Sequence, residues 1–221
     1  MHQRPDILGV ILAGGAGRRM FASPSSDHAD QHTPAAQRDK ALIDLNGRPM
    51  LAHIIERLTP QVSEILLNAN GDPSRFTAFG LPIVADGDDS RDGPLAGFAA
   101  AMSWAERNRP NIRAILTVSV DAPFLPLNLA ERLSDAAGDG SAIAASAGQR
   151  HPTIGLWPLT LKNAVQNALS QGQRRVENFA QHHQAIAVSF PFSEIGNRSI
   201  DPFFNANTPE DVAAARAILA G

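Results

Sequence analysis

Residues 7–17 read ILGVILAGGAG: an unbroken apolar run passes directly into a loop of three glycines, and Arg18 and Arg19 follow at once. A short, β-branched apolar run ending in turn residues reads as a buried strand. Glycines after a strand let backbone N–H groups approach an anion, because no Cβ intervenes. Two arginines alongside add charge that suits phosphate. Taken alone, the loop is a weak signal, and a tight turn that holds nothing is the lesser alternative. What it constrains is the start of the fold: a buried strand that runs straight into a backbone-rich, positive loop.

The rest of the chain follows that lead. Apolar runs recur at 64–69, 81–85 and 112–120, with amphipathic helical patterns near 49–59, 95–107 and 127–137 between them. Strand, helix, strand in sequence predicts parallel pairing with right-handed crossovers. Residues 141–147, 153–157 and 185–189 read as further strands, and 159–170 and 174–183 as helices. A last helix begins at Thr208, a cap, with Pro209 at the first helical position and Asp211 three residues after the cap. The 221 residues suit one domain spanning 1–221, and a 43% hydrophobic content supplies its core. Residues 21–38 (FASPSSDHADQHTPAAQR) are polar and without periodicity, so they read as a flexible surface loop in which His28 and His32 are solvated.

Several function classes are set aside. A net charge of −3 argues against a nucleic-acid surface, and the absence of cysteine removes disulfides and thiolate metal sites. No signal-type apolar region or membrane-length span is present, which predicts a soluble cytoplasmic protein with no membrane partner. The glycine loop is not a Walker A loop, because no lysine follows it before Lys40. Nor is it a dinucleotide fingerprint, because Met20 stands where the third glycine belongs. The cluster Asp86, Asp88, Asp89 and Asp92 fails as an EF-hand: Arg91 and Gly97 occupy the positions that need glycine and glutamate.

The ordered set of motifs is more specific than any one of them. ILAGGAGRRM (11–20), RDKALIDLNGRPML (38–51), NAN (68–70), DGPLAG (92–97), VDAP (120–123), HPT (151–153) and NANTPED (205–211) together resemble the molybdenum cofactor guanylyltransferases over nearly the whole chain. That resemblance implies an α/β, Rossmann-like nucleotidyltransferase fold in three layers, with a mostly parallel mixed sheet. It implies transfer of GMP from GTP to the terminal phosphate of molybdopterin, with release of pyrophosphate. The related cytidylyltransferases typically carry LAAG where this chain has Leu12-Ala13-Gly14-Gly15, which favours guanine.

Carried over residue by residue, the resemblance places Leu12, Ala13, Gly14, Gly15, Arg18, Lys40, Asn68, Asp86 and Asp121 against the nucleotide. Lys40, Asp121 and Arg19 take the catalytic roles, and Asp121 is the ligand for Mg²⁺. A carboxylate at Asp86 would accept from guanine N1–H and its 2-amino group. VDAP keeps the aspartate and the proline of the family pattern of cysteine, aspartate, threonine and proline, and only Asp121 is carried over. His151, Arg174, Arg175, Asn205 and Asn207 are candidates on the acceptor side, with the two asparagines near the metal and reacting phosphates. Asn70 reads as structural. Implied partners are GTP and molybdopterin, and beyond them a molybdenum insertase or molybdoenzyme chaperones. The loop 21–38 departs from the family, whose members pass from RRM to the aspartate–lysine pair in a few residues. A sugar-1-phosphate nucleotidyltransferase, a cytidylyltransferase and a nucleotide-binding scaffold without chemistry are the rival readings.

Overall fold

The computed structural model describes residues 3–14, 39–87 and 93–220. Gly15, Arg18, Arg19, His28, His32, Asp88, Asp89 and Asp92 lie outside the described residues, as does the whole segment 21–38. In chain order the first half contains β1 (Arg4–Leu12), β2 (Asp44–Leu45), β3 (Arg48–Pro49), α1 (Met50–Leu58), β4 (Val62–Asn68), β5 (Ile83–Val84), α2 (Pro94–Asn108) and β6 (Ala114–Ser119). The second half contains α3 (Leu129–Ala137), β7 (Ala142–Ser146), β8 (Gln149–Pro158), α4 (Lys162–Ser170), α5 (Val176–His182), β9 (Ile186–Ser189), β10 (Ser193–Ile195), β11 (Arg198–Ile200) and α6 (Pro209–Leu219). Short 3-10 turns cover Lys40–Leu42 and Pro73–Phe79.

Seven strands form one sheet in the order β5-β4-β1-β6-β8-β7-β9. β1 pairs in parallel with both β4 and β6, and β4 with β5. β8 alone is antiparallel to its neighbours, and β9 runs parallel to β7. The expected mostly parallel mixed sheet is therefore present. The chain steps from β1 outward to β4 and β5, then crosses to β6 on the other side. Connections that diverge in this way open a crevice at the carboxyl ends of the two central strands, where such sheets bind ligands.

The central strand is buried on both faces, as its apolar run requires: Ile7, Leu8, Val10 and Ile11 are all in the core. On one face Ile7 and Ile11 pack with Leu51, Ile54 and Leu58 of α1 and with Leu129 and Leu133 of α3. On the other, Leu8 and Val10 pack with Leu95, Phe98 and Met102 of α2, Val165 of α4 and Phe179 of α5. Each such side chain contributes about 1.5–3 kcal/mol on full burial, so the three layers hold each other. A smaller cluster seats α6, through Val212, Ala215 and Ile218, against Leu45, Met50 and Phe124. The expected capping box forms: Thr208 accepts from the Asp211 N–H, and the Asp211 carboxylate accepts from the Thr208 N–H. Among the described residues no helix is long and apolar enough to cross a membrane.

The two-stranded sheets β2–β3 and β10–β11 have no counterpart in the sequence pattern, and two strands of the main sheet depart from it. The run 81–85 forms ladder pairs only at Ile83 and Val84, because the Asp86 N–H leaves the sheet for the Asn70 side chain. β8 begins four residues before its apolar run, because Ala147 and Gly148 both have positive φ and close a hairpin onto β7.

Candidate active site

The crevice between β1 and β6 collects residues from widely separated parts of the chain. The ladder continues one residue past each strand end: Ala13 N–H donates to Asn68 O at 2.8 Å, and Val120 N–H to Leu12 O at 3.2 Å. Leu12 and Ala13 are themselves buried, so their side chains face the core and leave backbone groups as contacts. Gly14 is exposed at the mouth; a Cβ there would sit 3.2 Å from Asn70 Nδ2 and 3.5 Å from Asp86 Oδ2.

Lys40, Asp121 and Asn207 form one cluster. Asp39 caps the turn that carries Lys40, accepting from Ala41 N–H at 3.0 Å. Lys40 Nζ donates to Asp121 Oδ2 at 2.8 Å and also to Asn207 Oδ1. Both partners of the ion pair are mostly shielded, with side chains 11% and 18% exposed. Asn207 is set in turn by Asp211, which accepts from its N–H at 3.0 Å, and by the adjacent Ala206, whose N–H bonds Asp121 O at 2.9 Å. The second carboxylate oxygen, Asp121 Oδ1, is buried and has no hydrogen-bond partner among the described residues. An unmet buried acceptor of this kind costs about 1–3 kcal/mol and marks a place for a positive group.

A second cluster holds Asp86. Asn68 Nδ2 donates to Asp86 Oδ1 at 2.8 Å. Asn70 grips the same residue twice, with Nδ2 on Oδ2 at 2.8 Å and Oδ1 accepting from Asp86 N–H at 2.8 Å. Each carboxylate oxygen keeps further lone pairs for a ligand. Gly97 of α2 lies directly beneath: a Cβ there would collide with Asn68 Oδ1 and approach Leu12 Cδ2 to 3.0 Å. The GPLAG motif thus serves close approach at Gly97. At Gly93 it serves a φ of +70°, which ordinary side chains rarely adopt.

The acceptor-side candidates divide. His151, near the start of β8, lies 2.8 Å through Nε2 from Ser146 Oγ, and Ser146 Oγ bonds Asp201 Oδ2 at 2.9 Å. Asp201 can only accept when ionised, so the single hydroxyl proton goes to it and His151 Nε2–H donates to Ser146. That assigns the histidine proton to Nε2 and leaves Nδ1 as the acceptor. Burial lowers the His151 pKa below its ordinary 6.5, partly offset by the Asp201 charge. Arg174 donates to Leu169 O at 2.7 Å, and its own carbonyl lies 3.4 Å from where a Cβ on Gly93 would stand. Arg175 occupies the position before α5 without a side-chain cap bond. Asn205 is exposed, and its carbonyl accepts from Asn207 N–H at 3.1 Å. Among the described residues no three His, Asp or Glu gather as a metal-ligand group.

Sequence reasoning passed over four residues here. Asp39 and Asp201 look like turn residues in the sequence, and Ser146 is one small residue near the end of an expected strand. Arg75 sits in a turn between strands with no motif to signal it. Asn70 carries more than a strand end.

A family model described as the MobA-like NTP transferase domain matches residues 9–186. A molybdenum cofactor guanylyltransferase from Mesorhizobium japonicum is 41% identical over 98% of this chain and 97% of its own length. One from Cereibacter sphaeroides is 38% identical, over 96% and 97% respectively. Among solved structures, molybdopterin-guanine dinucleotide biosynthesis protein A from Archaeoglobus fulgidus shares the fold, with a TM-score of 0.67 at 17% identity over 96% of this chain and 98% of its own. The motifs in their order, the sheet and these similarities agree, and the chain belongs to the molybdenum cofactor guanylyltransferase family of MobA-like nucleotidyltransferases.

Proposed function

We propose that the chain transfers GMP from GTP to the terminal phosphate of molybdopterin, with or without bound molybdenum. The observation that carries this reading is the Lys40–Asp121–Asn207 cluster at the mouth of the β1–β6 crevice. A phosphate oxygen of the acceptor attacks the α-phosphorus of GTP. The bond from that phosphorus to the bridging oxygen breaks, and pyrophosphate leaves with the electron pair. The nucleophile is already anionic at neutral pH, so no general base is needed. Positioning and charge neutralisation do most of the work.

In this reading Lys40 gives its ammonium to the triphosphate, and Asp86, held by Asn68 and Asn70, accepts from guanine N1–H and the 2-amino group. Gly14, with Gly15, Arg18 and Arg19 beyond it, cradles the phosphates. The orphaned Asp121 Oδ1 fits a hard cation that takes oxygen ligands and completes its shell with phosphates and water. Mg²⁺ held there supplies charge neutralisation on the phosphate oxygens when bound. His151 Nδ1, Arg174, Arg175 and Asn205 are assigned to the acceptor side. The reaction is placed in the cytoplasm, in keeping with a chain without cysteine. A molybdenum insertase before it and molybdoenzyme chaperones after it are the partners this role calls for.

The test supplies molybdopterin and Mg²⁺ with GTP or CTP and measures pyrophosphate and dinucleotide together. Equimolar pyrophosphate and guanine dinucleotide from GTP alone is the expected result. Turnover with CTP in its place moves the chain to the cytidylyl reaction.

A further inference from the structure

The two clusters of the site are joined by one side chain. Arg75, in the turn Pro73–Phe79, donates from Nε to Asp39 Oδ2 at 2.7 Å and from Nη2 to Asn70 O at 2.6 Å. Its third nitrogen, Nη1, donates to Asp72 O. The guanidinium also lies 4.4 Å from the ring centroid of the buried Phe76. Three hydrogen bonds in three directions and a ring contact leave this group one orientation. Its ion pair with Asp39 is mostly shielded, with side chains 21% and 15% exposed. Two of the three bonds end next to a functional residue. Asp39 caps the turn that presents Lys40, and Asn70 is the double grip on Asp86.

We propose that Arg75 is a positioning residue that holds the base-reading and phosphate-reading halves of the site in one frame; this rests on the roles given above to Asp86 and Lys40. The planar fork suits the task, because it reaches a carboxylate and two carbonyls at fixed angles. A lysine offers a point charge that can keep the bond to Asp39 but cannot span all three acceptors. The two halves of the site are therefore separable by substitution.

The experiment measures dissociation constants of the full chain for GTP, for inosine triphosphate, which lacks the 2-amino group, and for pyrophosphate, all with Mg²⁺. The variants are Arg75→Met, Arg75→Lys and Asp39→Asn, with Asp86→Asn as reference for base reading. Arg75→Met is expected to weaken pyrophosphate binding about tenfold and to remove most of the preference for GTP over inosine triphosphate, as loss of charge-assisted bonds implies. Arg75→Lys is expected to restore the pyrophosphate affinity and not the base preference. Asp39→Asn is expected to weaken pyrophosphate and to keep the base preference. A protein merely loosened by the substitution would keep its base preference in the folded fraction. The proposal is overturned if Arg75→Met stays within about twofold of the unsubstituted chain on both measures, or if Asp39→Asn erases base preference as fully as Arg75→Met does. Should Arg75→Met fail to fold, Arg75→Lys and Asp39→Asn still decide between these outcomes. If Asp86→Asn leaves the base preference intact, the role given to Asp86 falls and takes the base half of the proposal with it, while pyrophosphate binding still judges the other half.

Discussion

Replacing Gly97 by alanine tests how tightly the floor of the proposed nucleotide site is packed. The position is inside α2, where alanine is favoured over glycine by about 1 kcal/mol, so a helix taken by itself would gain. The surroundings oppose that gain. A Cβ at Gly97 meets Asn68 Oδ1 well inside contact distance, and Leu12 Cδ2 at 3.0 Å. Neither neighbour is the loose end of a flexible chain: Asn68 is buried and bonded to Asp86 and to Val84 O, and Leu12 closes the end of β1. If Asn68 turns away, its bond to the Asp86 carboxylate is lost, at about 1.5–3 kcal/mol for a charged partner. Forcing a methyl into a packed core adds about 1–3 kcal/mol of strain. Some of this is relieved by relaxation, so the net loss is expected near 1–3 kcal/mol, or a fall in Tm of about 2–10 °C for a chain of this size. GTP affinity should fall with it, because the displaced groups are the proposed nucleotide contacts. Thermal unfolding with and without GTP reads both effects. A Gly97→Ala protein that melts at or above the original temperature and binds GTP unchanged would refute this account of the GPLAG glycine.

Asp121→Asn keeps a hydrogen-bond acceptor for Lys40 but loses the carboxylate charge. Turnover is expected to fall by about 10²–10³, with stability within about 1 kcal/mol, as read by pyrophosphate release and melting curves. In thermal unfolding, GTP with Mg²⁺ at a hundred times its dissociation constant should add about 2.7 kcal/mol and raise the midpoint by roughly 5–10 °C; CTP, ATP and UTP should not. The pKa of His151 is lowered by burial from an ordinary value of 6.5, so the unfolded chain takes up its proton first as pH falls. Stability at His151 is therefore whole above pH 6.5 and declines as pH drops toward the lowered folded value. His183, lowered by burial and by His182, adds a decline of the same sign. His151→Asn should flatten part of that slope in denaturant titrations across the acid range, and an unchanged slope would remove His151 from the account.

Much of this architecture is legible in the chain because it depends on local pattern. The apolar run 7–12 is buried, the helix start at Thr208 carries its capping box, and Lys40 and Asp121 meet although far apart in sequence. What escaped reading depends on pairing across distance. Arg75 is one polar residue in a turn, and only the fold brings Asp39 and Asn70 to it. Ser146 becomes the partner of His151 through the hairpin at Ala147 and Gly148, where an alanine with positive φ stands in place of the usual turn residues, and Asp201 joins from far along the chain by accepting from Ser146. The shortness of β5 was likewise hidden, because its end is set by a side-chain bond from Asn70 and not by any breaker in the sequence.

Asn207 gives the site an order of assembly. All seven strands of the main sheet lie before residue 190, yet Asn207, one of the two acceptors of the Lys40 ammonium, comes after it, anchored by α6. During synthesis the sheet can close while the crevice still lacks that wall. A growing chain is then expected to fold before it is competent to take up nucleotide, and a product truncated before residue 205 would be a stable-looking sheet with an unfinished site. Such a fragment is expected to fail twice: it cannot complete the site, and without α6 it uncovers Leu45, Met50 and Phe124.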